Sequence, residues 1–378
     1  MILSQLETRI VPLYIAANKP NGAVPLILSP PGLGKTMTAS MFPMLMRPYG
    51  NYGFVEINGA TLNLGTMGGY LQFGPTMDVG GVQKPTSMFS LPWWWWAEGG
   101  NVEKAKKLLN EFDGGIICVD EADKINPDEN KTVGEAAFRK VWMTHEFPEG
   151  WVVWFLGNRM QDRAGSNKQF SHLINRQREI QIRPDTTSWV NWATLRGKLL
   201  PELVTFGENN PQWLFQDMPK DLQPWCTPRS LHQAEIHFRA IMEAYGMDKI
   251  PTDPLTQEEI QGGIGPGATR DLMAHLREAQ ELPSYKDVIA NPRKAEVPSK
   301  PDGKRLMAYR LADQLATKDV EAALIYMGRY GEEFQAIFAK LAINHDYQIV
   351  FDKAFGKWCS DKSSLIAMLE QYKNNNGR

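Results

Sequence analysis

Apolar and polar positions follow two different rhythms along this chain. In the first half, short apolar runs alternate with stretches of helical spacing. Gln5–Ala17 reads as a helix with an early Pro12, Asn18–Gly22 as a turn, and Val24–Leu28 as a buried strand bounded by Pro and Gly. Met37–Met46 has helical spacing until Pro48 and Gly50 stop it, and Phe54–Ile57 reads as a second strand. Val102–Phe112 is predicted helical, Ile116–Val119 a buried strand, Glu135–Trp142 a helix, and Trp151–Leu156 and Arg178–Ile182 further strands. Strands that alternate with helices imply an α/β fold with a parallel sheet covered on both faces.

From about residue 187 the strand signals fade. Ser230–Tyr245, Ala268–Ala279, Leu306–Leu315 and Glu332–Ile343 carry helical spacing, and Lys294–Gly303 reads as a linker. Residues 59–100 fit neither rhythm. Gly and Pro recur there, Met67–Ser90 has the punctuation of a hairpin, and Trp93–Trp96 are consecutive tryptophans. An extended run would place two of these rings on each face of the backbone. The plainer reading is packing between this segment and the sheet.

Composition narrows the function classes. The 378 residues are 43% hydrophobic, enough for a proper core, with 41 Lys+Arg against 43 Asp+Glu and a net charge of −2. That balance argues against a general electrostatic grip on nucleic acid, and Lys104, Lys106 and Lys107 read as a solvated helix face. Cys118, Cys226 and Cys359 lie far apart and form no metal-type pair, which favours a reduced, intracellular setting. His232 and His237 share a helix but have no ligand at metal spacing. Met1–Ile10 lacks the pattern of a secretory signal, and no apolar stretch approaches the roughly 18 residues of a membrane helix. A soluble, cytoplasmic protein is expected, with no membrane role.

The candidate chemistry begins at Ser29-Pro30-Pro31-Gly32-Leu33-Gly34-Lys35-Thr36, directly after the first strand and just before the helix that opens at Met37. Backbone N–H groups of a Gly-rich turn wrap a phosphate where side chains leave room. Lys35 adds a mobile positive charge for the outer phosphates, and the Thr36 hydroxyl is placed to ligate Mg²⁺. The strict pattern G-x-x-x-x-G-K-[ST] fails at one residue, because its first glycine is Ser29. A second signal follows in the right order. Ile116-Ile117-Cys118-Val119 runs into Asp120-Glu121, as a buried strand does when it delivers carboxylates to a site. Asp120 is the candidate Mg²⁺ ligand, and Glu121 the candidate base for an attacking water. ATP and Mg²⁺ are the implied cofactors.

These motifs resemble those of AAA+ ATPases, and the remainder of the chain is similar to the MoxR branch, especially the MoxR-type ATPases of bacteriophage genomes. The similar stretches include Gly157–Gly165, Gly262–Leu276 and, more loosely, Gly331–Ile343. The resemblance implies a P-loop core over 1–186 with a helix-2-type insert around 65–92, a helical lid over 187–282 and a helical C-terminal region over 283–378. It makes Asn158 a sensor that orients water or touches the γ-phosphate. Arg176 becomes an arginine finger, with Arg163 and Arg178 as competitors. Arg229, in Thr227-Pro228-Arg229-Ser230-Leu231, takes the second sensor position at the start of a lid helix. The resemblance also implies a homo-oligomeric ring, usually hexameric, and a chaperone-like remodeler working with a von Willebrand factor A domain protein. For a phage-encoded protein the setting would be the host cytoplasm. Two other readings stay open: a nucleic-acid motor or loader, and a nucleotide-gated scaffold with little turnover.

Overall fold

The computed structural model describes residues 1–63, 69–97, 107–159, 162, 175–219, 221, 223–360, 362 and 365. Two compact units divide the chain, Met1–Asp185 and Thr186–Arg378. The first is built on five parallel strands: β1 (Val24–Ser29), β2 (Tyr52–Asn58), β7 (Gly114–Asp120), β10 (Trp151–Asn158) and β11 (Gln177–Gln181). Their order across the sheet is β11-β1-β10-β7-β2. Strands β7 and β10 are buried along almost their whole length. Both faces of the sheet are covered, as expected for a parallel sheet flanked by helices.

Alternation along each strand sorts the side chains into two layers. Ile116 and Cys118 of β7, and Val152, Trp154 and Leu156 of β10, face α1 (Leu3–Ala17), α2 (Lys35–Ala39) and α3 (Phe42–Met46). Ile117, Val119, Val153 and Phe155 face the opposite layer, which contains α4 (Pro127–Arg139) and an aromatic cluster. Trp151 belongs to that second layer, and its indole N–H donates to the Leu109 carbonyl at 2.8 Å. Its ring lies so close over the backbone that a Cβ on Gly115 would sit 2.4 Å from it, which leaves glycine as the residue that fits.

Several local expectations change. The predicted helix Met37–Met46 is two helices, α2 and α3. Pro43 in the first turn of α3 has no N–H to continue the first helix. Predicted helix Glu135–Trp142 ends at Arg139, where Lys140 turns left-handed at φ 56°, and Val141–Trp142 (β8) enters a small hairpin with His145–Glu146 (β9). Of the predicted helix Val102–Phe112, residues 102–106 lie outside the described residues, as do Lys104 and Lys106. Lys107–Leu108 (β6) pairs instead with Trp96–Ala97 (β5), and Leu109–Glu111 forms a 3-10 turn.

The hairpin punctuation of Met67–Ser90 corresponds to β3 (Leu71–Val79) and β4 (Val82–Phe89). This hairpin is exposed on both faces, with Phe73 at 91% of full exposure. The tryptophan run is not extended: Trp93–Trp95 form a 3-10 turn. Trp94 and Trp95 are buried, and Trp94 stacks edge-on against Trp142 at 4.7 Å. The plain packing role of these two rings is thus observed.

The second unit is helical from Thr186–Leu195 to Lys353–Ser360. Proline opens helix after helix there, at Pro201, Pro211, Pro228, Pro254, Pro266 and Pro301. Its missing N–H costs nothing in a first turn. The segment Lys294–Gly303 is not a loose linker. Tyr326 donates to the Glu296 carbonyl at 2.6 Å, Arg329 donates to the Pro292 and Ala295 carbonyls, and the helix Pro301–Asp313 already covers its end.

Candidate functional site

Register pairs the strand ends two by two. Ser29 of β1 pairs with Asn158 of β10, and Asp120 of β7 pairs with Asn58 of β2. Because Asp120 and Asn158 follow Cys118 and Leu156 in the alternation, both project toward the layer of α1–α3. The loop between β1 and α2 therefore opens onto a polar edge, outside the carboxyl ends of parallel strands, where α/β sheets bind ligands.

The loop itself turns through Gly32 at φ 75° and Gly34 at φ 89°, a left-handed region that suits glycine. Gly34 then caps α2. Ser29 stands where the strict motif has glycine, yet its side chain is fully buried, with Oγ donating to the Pro30 carbonyl at 2.7 Å. Lys35 is only 8% exposed, and its Nζ donates to Asn158 Oδ1 at 3.1 Å and the Ser29 carbonyl at 3.4 Å. Thr36 Oγ1 donates to Asp120 Oδ2. The side chains of Lys35, Thr36, Asp120 and Asn158 thus meet in one place.

Glu121 follows directly. Its backbone is left-handed at φ 52°, ψ 36°, uncommon for a residue with a Cβ. Three bonds hold it there. Its N–H donates to Asp120 Oδ1 at 2.8 Å, its carbonyl accepts from Lys124 N at 2.8 Å, and its carboxylate pairs with Lys124 Nζ at 2.8 Å. Nearby, burial raises the pKa of Glu56, with a smaller push from the Asp120 charge.

The Thr36 hydroxyl and Asp120 carboxylate form a hard, all-oxygen pair, which fits Mg²⁺, an ion that keeps much of its water shell. Among the described residues no group of three His, Cys, Asp or Glu is disposed to hold a metal. His232 packs edge-on against Trp192, and His237 pairs with Glu259 at 3.0 Å.

Residues 25–162 match the family model of the ATPase family associated with various cellular activities (AAA). This stretch is an AAA ATPase domain. No curated protein matches the chain. Among solved structures, NtrX from Brucella abortus is 15% identical at a TM-score of 0.36, covering 96% of this chain. This chain spans 66% of that one, just under two thirds. The ADP complex of the same protein is 13% identical at 0.34, with coverages of 98% and 68%. Cdc6p from Pyrobaculum aerophilum is 12% identical at 0.40, with coverages of 89% and 84%. At these scores nothing about site or activity passes from them to this chain.

The remaining candidates are arginines and the other residues of the loop. Arg176 is exposed just before β11, its guanidinium 5.4 Å from the centre of the Phe138 ring. Since Val24 pairs with Gln177, Arg176 stands at the edge where strands begin, and the phosphate loop at the edge where they end. Arg178 is exposed on β11, and Arg163 lies outside the described residues. Arg229 is exposed in the first turn of the helix Pro228–Tyr245 in the second unit, where Thr227 and Ser230 form a capping box. Pro30, Pro31 and Leu33 complete the loop, and Met37 follows on α2 with its side chain 43% exposed. Reading the sequence missed Asp123, Lys124 and Gly157. The visible signal was a third carboxylate, two residues beyond the Asp-Glu pair.

Proposed function

We propose that this chain hydrolyses ATP in a ring of identical subunits and uses the cycle to remodel a partner protein. The reading rests on one observation above all: Lys35, Thr36, Asp120 and Asn158 converge at the carboxyl ends of the strands, with Glu121 beside them.

On this reading the N–H groups of Gly32–Thr36 and the Lys35 ammonium hold the β- and γ-phosphates. Thr36 and Asp120 would hold Mg²⁺, which would supply charge neutralisation to the phosphates. Asn158 orients a water, and Glu121 takes its proton as the water oxygen bonds the γ-phosphorus. The bond from that phosphorus to the bridging oxygen breaks, and ADP leaves with the electron pair. Arg176 stabilises the transferred charge on a neighbouring copy's nucleotide, and Arg229 acts as a second sensor. The MoxR-like assignment, the phage affinity, a hexameric ring, a von Willebrand factor A domain partner and a cytoplasmic setting belong to the same proposal.

Glu121→Gln is expected to bind ATP normally while turnover falls by about 10²-fold or more. Lys35→Ala is expected to lose ATP binding. Steady-state phosphate release and equilibrium ATP titration test both, and undiminished turnover in Glu121→Gln would sink the catalytic assignment. Function retained without turnover would point to the scaffold.

A further inference from the structure

The turn that carries Glu121 is docked to both neighbouring strands. Toward β2, Gly59 lies so close that a Cβ there would sit 2.8 Å from the carbonyl oxygens of both Asp120 and Glu121. Toward β10 the contact is polar. Asp123, 7% exposed, accepts the backbone N–H of Asn158 through Oδ1 at 2.8 Å. A Cβ on Gly157 would stand 2.8 Å from that same oxygen, so the approach depends on glycine. Asn158 then reaches Lys35 through its side chain, on the other face of the sheet.

Resting on the ATPase reading, we propose that Asp123 is a positioning residue that fixes the proposed base relative to the proposed sensor. The base caps a short 3-10 turn, Ala122–Lys124, in a left-handed conformation that its own side chain does not favour. Such backbone persists only where the surroundings over-determine it. The sensor sits on the last residue of a strand, past the register pairs that join β10 to β7, which end at Phe155 and Val119. Beyond that pair the Asp123 carboxylate reconnects the two. The water to be activated must lie between Glu121 and Asn158, so an error in their separation becomes an error in the attack geometry. ATP binding, through the loop and Lys35, does not require that separation to be correct.

The test compares wild type, Asp123→Ala and Asp123→Asn by steady-state phosphate release and by titration with a fluorescent ATP analogue. The asparagine keeps an oxygen to accept the Asn158 N–H. Affinity is expected to stay within about threefold of wild type in both variants, while kcat falls about 100-fold in Asp123→Ala and less than about tenfold in Asp123→Asn. A kcat in Asp123→Ala within threefold of wild type, or a parallel loss of affinity, overturns the inference. Should Asp123→Ala fail to fold, Gly157→Ala probes the same contact from the other side. Lower kcat at unchanged affinity supports the inference, and unchanged kcat overturns it. Glu121→Gln runs beside them: turnover lost there but kept in Asp123→Ala removes the positioning role alone. Absent wild-type turnover removes the ATPase reading and this inference together.

Discussion

Thr36 Oγ1 donates to Asp120 Oδ2, so the two groups proposed to hold Mg²⁺ already share a proton-bearing contact. Replacing the hydroxyl by a methyl keeps the shape and removes the proposed ligand. Thr36→Val is therefore expected to weaken ATP binding about tenfold, near 1.4 kcal/mol, when Mg²⁺ is present and hardly at all in EDTA. Equal weakening in both buffers would show that the hydroxyl serves the loop instead. Residues of this kind were legible in the sequence, because Gly34-Lys35-Thr36 and Asp120-Glu121 are short runs whose chemistry is local. Asp123 was not. Its partner is a backbone N–H 35 positions away, and no side-chain identity announces that a main-chain group needs an acceptor.

At the scale of elements, β7 and β10 were readable because a strand buried on both faces writes itself as an unbroken apolar run. The failures occur where a partner decides. Lys107–Leu108 lies in a run of helical spacing, but pairs with Trp96–Ala97, a segment with no strand signal of its own. Val141–Trp142 carries a β-branched and an aromatic residue, which a hairpin accommodates better than a helix end. Packing between elements also yields a firm expectation at Gly115. A methyl there would stand 2.4 Å from the Trp151 ring and 2.6 Å from the Gly53 carbonyl. Gly115→Ala should cost about 1–3 kcal/mol, read from urea denaturation. The β3–β4 hairpin predicts the reverse. Its exposed faces add little to the core, so replacing residues 71–89 by a short Gly-Ser turn should leave the melting temperature nearly unchanged. A large drop would mean that the hairpin braces the unit.

At the scale of the molecule, the helical second unit has its own pH response. Burial lowers the pKa of His275 from its ordinary 6.5, and its Nε2 lies 3.0 Å from the Glu202 carbonyl. Below about pH 6.5 the unfolded chain binds a proton that the folded unit resists, so stability falls as pH drops through that range. Denaturation at pH 7.5 and 5.5 should show the slope, and His275→Gln, which keeps a donor for Glu202, should flatten it. An unchanged slope would assign it to other groups.

The opposed positions of Arg176 and the phosphate loop have a consequence for symmetry. A strand rises roughly 3.3 Å per residue, so Val24–Ser29 separates the two by roughly 16 Å within one copy. On the proposed reading each subunit therefore carries a plug at one end of its sheet and a socket at the other. In a ring each copy fills one neighbour's socket and has its own filled by the other, a head-to-tail contact whose repetition either closes on itself or continues as a spiral. Any open run leaves its last socket unfilled, so closure itself would set the number of working sites. Mixing Arg176→Ala subunits into wild type should then silence sockets one for one, lowering turnover in proportion to the fraction added. A variant that leaves its neighbours at full rate would show that the plug is another residue.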